Sequence, residues 1–321
     1  MACKHKLVAI DSCIVPPQVD FECETIIYDA TSPEELPDRI KDATMITTGL
    51  AKVTRTDIEA ASRLQLISAC GTGSDHIDKK AAHEKGITVC HIPAQNTESV
   101  SEHALALYYS LRRRIGEMHD LTLSGTIWPP NPAVLAKLGN PPPRTNSQET
   151  LVIVGYGKMV EKLGKTLGML VLISERKGSG TIRDGRTPFD EAVHQGTLFI
   201  LTAPLNDSTR GMFGAAEFSI MDNTALFVNI SRGALVDEHA LAAALRGGQI
   251  GGAATDVYEH EPATTENCPL IDPSIPNLIL SPHIAWYSLK TIEGSEAILK
   301  ANLEAFAAGS PINVVLPSIS E

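Results

Sequence analysis

Arg232, Glu261 and His283 each stand just beyond a short apolar run, in the segments "NISRGALVDE", "DVYEHEP" and "SPHIAW". If those runs are strands of one parallel sheet, the three side chains gather outside the carboxyl ends of the strands, where open α/β sheets bind ligands. An arginine there can grip a carboxylate through two parallel N–H bonds. A histidine can give and take a proton near neutral pH, and a carboxylate beside it favours the protonated ring. Each residue also has a plainer reading: Arg232 in a surface ion pair, Glu261 in an acidic loop, His283 as a bystander after Pro282. Taken together they make an acid, its carboxylate partner and an anion anchor at successive strand ends, which three unrelated surface residues do not anticipate. Asp256, ending the run "GGAAT", is a fourth polar group at the same level.

A second candidate is the stretch "LVIVGYGKMVEKLG", residues 151–164. Gly155 and Gly157 allow a tight turn from strand to helix and close approach of a pyrophosphate to the helix N-terminus. Val160 replaces the third glycine of the G-x-G-x-x-G pattern, adding bulk where the helix meets the sheet, and Gly164 follows one turn later. Glu175 lies twenty residues after Gly155 and ends the run "LVLIS". That is the place for a carboxylate accepting the ribose hydroxyls of a dinucleotide. The alternative is an ordinary βαβ unit with a glycine turn. Arg176 and Lys177 follow Glu175 directly. The carboxylate repels a 2′-phosphate and the cations attract one, so Glu175 favours NAD(H), with NADP(H) possible.

Positioning these residues requires two alternating blocks. The first hundred residues offer strands in "KLVAI", "ETIIY", "MITT", "LQLISA" and "ITVCHI", with helices in "RTDIEAASR" and "SDHIDKKAAHEKG" between them. One longer helix is expected over residues 97–118, with Val100, Ala104, Leu107 and Leu111 as its apolar stripe. Six of the twenty prolines then fall in residues 124–149, which read as an extended linker or an arm laid across a partner subunit. Alternation resumes in "LVIV", "LVLIS", "LFILTA", "ALFVNI", "GGAATDV" and "NLILS", with helices over 158–168, 189–195, 214–221, 238–246 and about 288–308. Such alternation indicates parallel α/β sheets.

The bulk numbers agree with a globular enzyme: 321 residues allow about two domains, and 43% hydrophobic with 20% charged residues is ordinary. A net charge of −11 gives no support for nucleic-acid or membrane-surface binding. The run Arg112–Arg114 is expected to complement a helix dipole. Six cysteines without C-x-x-C spacing suit a reduced, cytoplasmic setting, no metal is expected, and no apolar run approaches the roughly 20 residues of a membrane span.

In order, "SACGTGSDHID", "GITVCHIPAQNTESVSEHALAL", "GYG", "LTAPLNDSTRGMFG", "NISRGALVDE", "DVYEHEP" and "SPHIAW" resemble the D-isomer-specific 2-hydroxyacid dehydrogenases nearly from end to end, with "SERKG" and "SPHIAW" most similar to the hydroxypyruvate/glyoxylate reductase and glycerate dehydrogenase branch. The resemblance implies an α/β fold of two doubly wound parallel-sheet domains, a Rossmann dinucleotide-binding domain (99–287) inserted into a flavodoxin-like substrate domain (1–98 and 288–321). It implies stereospecific reduction of a 2-keto acid, and the reverse, by hydride transfer. Arg232 would bind the substrate carboxylate, His283 would protonate the carbonyl oxygen and Glu261 would support His283. Gly71, Thr72, Gly73 and Trp286 would also hold substrate. Gly155, Tyr156, Gly157, Lys158, Met159, Glu175 and Arg176 would line the cofactor, as would Ala203, Pro204, Thr209, Ile230 and Ser231, with Asp256 near the nicotinamide. The same resemblance implies domain closure and a homodimer supported by the arm, on which Trp128 reads as an interface residue. An alternative within the family is a catalytically weak, NAD(H)-binding regulator of the corepressor type.

Overall fold

The computed structural model describes residues 5–125, 135–136, 142–155, 162–163 and 166–316. Trp128, Val160, Gly164 and most of the proline-rich connection lie outside them. The chain divides into two compact units, Met1–Asn96 with Tyr287–Glu321, and Thr97–Trp286.

In the first unit, β1 (His5–Ala9), β2 (Cys23–Ile27), β3 (Met45–Thr48), β4 (Leu66–Ala69) and β5 (Thr88–Cys90) form a parallel sheet in the order β2-β1-β3-β4-β5. This is the flavodoxin-like order, whose crevice lies between β1 and β3. Asp11 follows β1 there and is 8% exposed. Its carboxylate accepts the amides of Cys13, Gly49, Leu50 and Ala51 at 2.8–3.3 Å, so the chain fills its own nest of N–H donors. The helix Leu289–Ala307 starts at Ser288, whose hydroxyl accepts the Thr291 amide as an N-cap, and it packs on β4.

The second unit carries β6 (Thr150–Val154), β7 (Leu170–Ser174), β8 (Leu198–Leu201), β9 (Leu226–Asn229), β10 (Gly252–Thr255) and β11 (Leu278–Leu280). All pairs are parallel, in the order β11-β10-β9-β8-β6-β7. Thr187 adds a single parallel bridge beside Ser174, standing where the third strand of the 3-2-1-4-5-6 Rossmann order belongs. The strand runs "LVIV", "LFIL" and "LFVN" are continuous rather than alternating because both faces of the sheet are covered. One face packs on a phenylalanine-rich cluster around Phe199, Phe213 and Phe227, the other on Val100, Ala104, Leu107 and Leu111.

That apolar stripe lies where the spacing puts it, but the helix carrying it ends sooner than expected. It runs Thr97–Arg113, and a second helix, Ile115–Leu123, follows after Arg114 turns into the left-handed region at φ 47°. The arginines at this joint do not simply face the helix end. Arg112 is buried and pairs with the buried Glu149, while Arg114 pairs with Glu117 at 3.2 Å. A further departure is the segment 74–86: Asp78 caps a helix of only Lys79–Glu84, its carboxylate accepting the Ala81 amide.

One close approach brings the loops after β9 and β10 together. A Cβ built on Gly233 would lie 1.9 Å from the Tyr258 carbonyl carbon and 2.3 Å from the Glu259 nitrogen. Any side chain at 233 therefore pushes backbone against backbone. Gly233→Ala is expected to lower stability by about 1–3 kcal/mol or more and to lower turnover with it, read as a shifted denaturant midpoint beside a kinetic assay.

Candidate active site

β9, β10 and β11 are neighbours in the sheet, so residues just past their carboxyl ends come from strands about 5 Å apart. Arg232 follows β9, Asp256 follows β10 with Glu261 in the loop beyond, and His283 follows β11. The structure brings His283 and Glu261 together. His283 Nδ1 lies 2.6 Å from Glu261 Oε2, with the two side chains 23% and 28% exposed. The Tyr258 amide donates to the other oxygen, Oε1, at 2.9 Å. Burial is the largest single influence on Glu261 and opposes its ionisation. The hydrogen bond and charge of His283, the Tyr258 amide and the charge of Arg232 together outweigh burial and hold the carboxyl below its usual range. An ionised Glu261 can only accept, so Nδ1 carries a hydrogen and Nε2 is the atom left for proton transfer.

His283 sits at φ 55°, a conformation uncommon outside glycine. Four bonds hold it there. Its amide donates to the Asp256 carbonyl at 2.7 Å, and the amides of Ile284 and Ala285 donate to Asp256 Oδ1 and Oδ2 at 3.0 and 2.8 Å. The Trp286 indole N–H donates to the His283 carbonyl at 2.9 Å. Asp256 is 1% exposed, and its Oδ1 also accepts the Ser281 hydroxyl at 2.7 Å. That hydroxyl has one proton and gives it to Asp256, so His103 Nε2, 3.0 Å away, must be the donor to Ser281. The carboxylate expected beside the nicotinamide thus braces the turn under His283, and the indole N–H of Trp286, a residue expected at the substrate, is taken up in the same turn. His103, Ser281 and Tyr258, whose hydroxyl donates to the Ser281 carbonyl at 3.0 Å, escaped the sequence reading. His103 adjoins the apolar stripe at Ala104, and only the fold shows that it reaches the end of β11.

Arg232 is half-buried, its Nη1 donates to the Ser231 carbonyl at 2.8 Å, and its own carbonyl accepts the Asn229 side-chain amide at 2.9 Å. Gly71, Thr72 and Gly73 belong to the first unit, past the end of β4. There the Gly71 carbonyl accepts the Ile92 amide at 3.0 Å and the Thr72 carbonyl lies 2.9 Å from His91 Nδ1.

At the switch point between β6 and β8, Gly155 has φ 127°. A Cβ there would lie 2.5 Å from Thr202 Oγ1 and 2.8 Å from the Ala203 amide, so only glycine lets the turn lie against the end of β8. Ala203 and Ile230 are buried. The Ser231 hydroxyl donates to the Ala203 carbonyl at 2.6 Å and the Thr209 hydroxyl to the Pro204 carbonyl at 2.7 Å, which ties these loops into one rim. Tyr156, Gly157, Lys158 and Met159 lie outside the described residues. Glu175 departs from its expected role. It is 2% exposed, and its carboxylate is taken by the amides of Arg176 and Arg183 and by the Arg183 guanidinium. The Arg183 side-chain bonds are the largest influence holding it far below the usual carboxylate range. Arg176 is exposed.

A Rossmann sheet, a flavodoxin-like sheet and a histidine–carboxylate pair beside an arginine define a two-domain dehydrogenase of the nicotinamide-dependent class. Residues 105–285 match the family described as D-isomer specific 2-hydroxyacid dehydrogenase, NAD binding domain. The chain is 34% identical over 302 residues to glycerate dehydrogenase of Methylorubrum extorquens, covering 93% of this chain and 94% of that one. It is 30% identical over 325 residues to hydroxypyruvate reductase of Blautia hydrogenotrophica, covering 97% and 99%. Among solved structures it resembles D-lactate dehydrogenase of Aquifex aeolicus complexed with NAD and lactic acid, at TM-score 0.80 and 25% identity, covering 95% of this chain and 96% of that one. The chain belongs to the D-isomer-specific 2-hydroxyacid dehydrogenase family. No described helix is long and apolar enough to cross a membrane.

Two outcomes follow from the turn and the pair. Asp256→Ala leaves two amides and a hydroxyl without an acceptor. It is expected to cost about 1–3 kcal/mol per orphaned group at most and to lower kcat with His283 intact, measured by thermal unfolding and initial rates. For Glu261, the folded carboxyl titrates below its ordinary value near 4.5. Its contribution to stability is therefore present above that pH and is lost as pH falls through the lower folded value. The Tm gap between wild type and Glu261→Gln should be widest at pH 5–7, in order-of-magnitude terms, and close on acidification below about 4; a constant gap would show that ionisation of Glu261 is not its source.

Proposed function

We propose that the chain reduces a 2-keto acid to the D-2-hydroxy acid and catalyses the reverse oxidation, with His283 as the acid–base group, Glu261 as its partner and Arg232 as the carboxylate anchor. The observation that carries this reading is the 2.6 Å bond between His283 Nδ1 and Glu261 Oε2 at a sheet edge shared with Arg232. A bound nicotinamide dinucleotide supplies the hydride. As negative charge develops on the carbonyl oxygen, His283 donates the Nε2 proton to it, and in the oxidative direction takes it back. Glu261 holds the ring in the tautomer this requires and offsets the charge of the imidazolium. Arg232 fixes the substrate carboxylate through a two-pronged bond and so orients the carbonyl. Gly71, Thr72 and Gly73 are assigned to substrate binding. For the dinucleotide, the reading assigns the rim of Gly155, Ala203, Pro204, Thr209, Ile230 and Ser231.

The names of the relatives favour a small substrate such as hydroxypyruvate or glyoxylate. A homodimer in the cytoplasm completes the reading, the first checked by light scattering. The direct test is consumption of NADH or NADPH with hydroxypyruvate and glyoxylate. His283→Ala is expected to lower kcat by about 10²–10⁴-fold, and Arg232→Ala to raise KM and lower kcat, with the fold intact by circular dichroism. Full activity in both variants would overturn these roles, and reduced-cofactor binding without turnover on a broad keto-acid panel would favour a regulator instead.

A further inference from the structure

The end of β7 presents a different surface from the one its sequence suggests. Glu175 is the residue placed to accept the ribose hydroxyls and to repel a 2′-phosphate. Its carboxylate is instead enclosed by the turn that follows. Oε1 accepts the Arg176 amide at 2.8 Å, and Oε2 accepts the Arg183 amide at 3.0 Å. Arg183 Nε reaches both oxygens, at 3.1 and 2.9 Å, and Arg183 Nη2 closes the fork on Oε1. A carboxylate has about four acceptor positions, and these donors fill them. The Glu175 side chain is 1% exposed, whereas that of Arg183 is 48% exposed. A ligand arriving here meets the guanidinium first and the carboxylate not at all.

The turn is itself well anchored. The amides of Glu175 and Thr187 bond across it, to the carbonyls of Thr187 and Ile173, at 2.8 and 2.9 Å, and Arg186 Nη1 donates to the Ser174 carbonyl at 2.8 Å. Residues 175–187 hold Arg176, Lys177, Arg183 and Arg186 against only Glu175 and Asp184. With the Glu175 charge matched by Arg183, the remaining balance is positive. Lys177 is also exposed but is committed to Glu217 at 2.7 Å and to the Met212 carbonyl, while Arg176 and Arg183 stand exposed next to the strand end.

Resting on the reading that this rim holds a nicotinamide dinucleotide, we propose that Arg183 is a specificity-determining residue: by sequestering Glu175 it removes the ribose acceptor and leaves a guanidinium where a 2′-phosphate is tolerated or bound. The chain then takes NADPH with an affinity within about tenfold of that for NADH, despite a carboxylate at the position that ordinarily selects NADH.

Fluorescence titration of the full chain with NADH and with NADPH reads this without turnover. The wild type is expected to show an NADPH Kd no more than about tenfold above that for NADH, and one that weakens more steeply with added salt. Arg183→Ala exposes an unneutralised Glu175. It is expected to weaken NADPH at least about tenfold while NADH holds or tightens, a change of about 1.4 kcal/mol in the preference. Arg183 is half-exposed, and Arg183→Lys serves as a milder second variant: it keeps the charge, so it should move the preference less. An NADPH Kd more than about tenfold above that for NADH in the wild type would overturn the proposal alone, as would an unchanged preference in Arg183→Ala. Failure of both nucleotides to bind would overturn the dinucleotide reading and the proposal with it.

Discussion

A histidine held in the left-handed region has to be kept there by its surroundings, and in this chain the holder is Asp256. Its carbonyl and both carboxylate oxygens take three consecutive amides, those of His283, Ile284 and Ala285. Such a conformation costs on the order of 1–3 kcal/mol and persists only where neighbouring bonds over-determine it. The ring direction follows from it, and with it the bond to Glu261. Behind Asp256 stand Ser281 and His103, so the brace extends from the end of β11 to the helix Thr97–Arg113. A buried carboxylate with every oxygen engaged is rigid, and it passes that rigidity to the turn that carries His283.

The parallel sheet gives this brace its neighbours. Because every strand runs the same way, the loops that follow β9, β10 and β11 open on one edge, and three polar side chains separated by dozens of residues become a cluster. Gly233 lets two of those loops touch through backbone, which places the charge of Arg232 where it helps to hold Glu261 ionised. At the opposite end of the same edge Gly155 performs a similar service for the turn after β6. Two glycines without side chains thus set the spacing of the groups that carry charge.

Much of this was legible in the chain before folding. The strand runs are unbroken because both sheet faces are covered, so their positions could be read within a residue or two, and the stripe from Val100 to Leu111 lies against the sheet as its period requires. Arg232, Glu261 and His283 announced themselves by following strands. The joint at Arg114 was not legible, since the nearby Gly116 lies inside the next helix rather than at the turn and the apolar period runs on beyond it. Nor was the burial of Arg112 against Glu149, which depends on a partner 37 positions away.

Sequence by itself determined the alternating elements, the family and the residues able to do chemistry, because those follow from local hydrophobic period and from side-chain type. Tertiary structure decided what each polar group is committed to. Asp256 and Glu175 look alike in the chain, two carboxylates at the ends of apolar runs and both expected at a cofactor. Folding gave one to the turn of His283 and the other to Arg183, because a buried carboxylate must be satisfied by whatever donors the fold brings within reach. Which donors those are depends on contacts between loops, and the order of residues along the chain does not contain them.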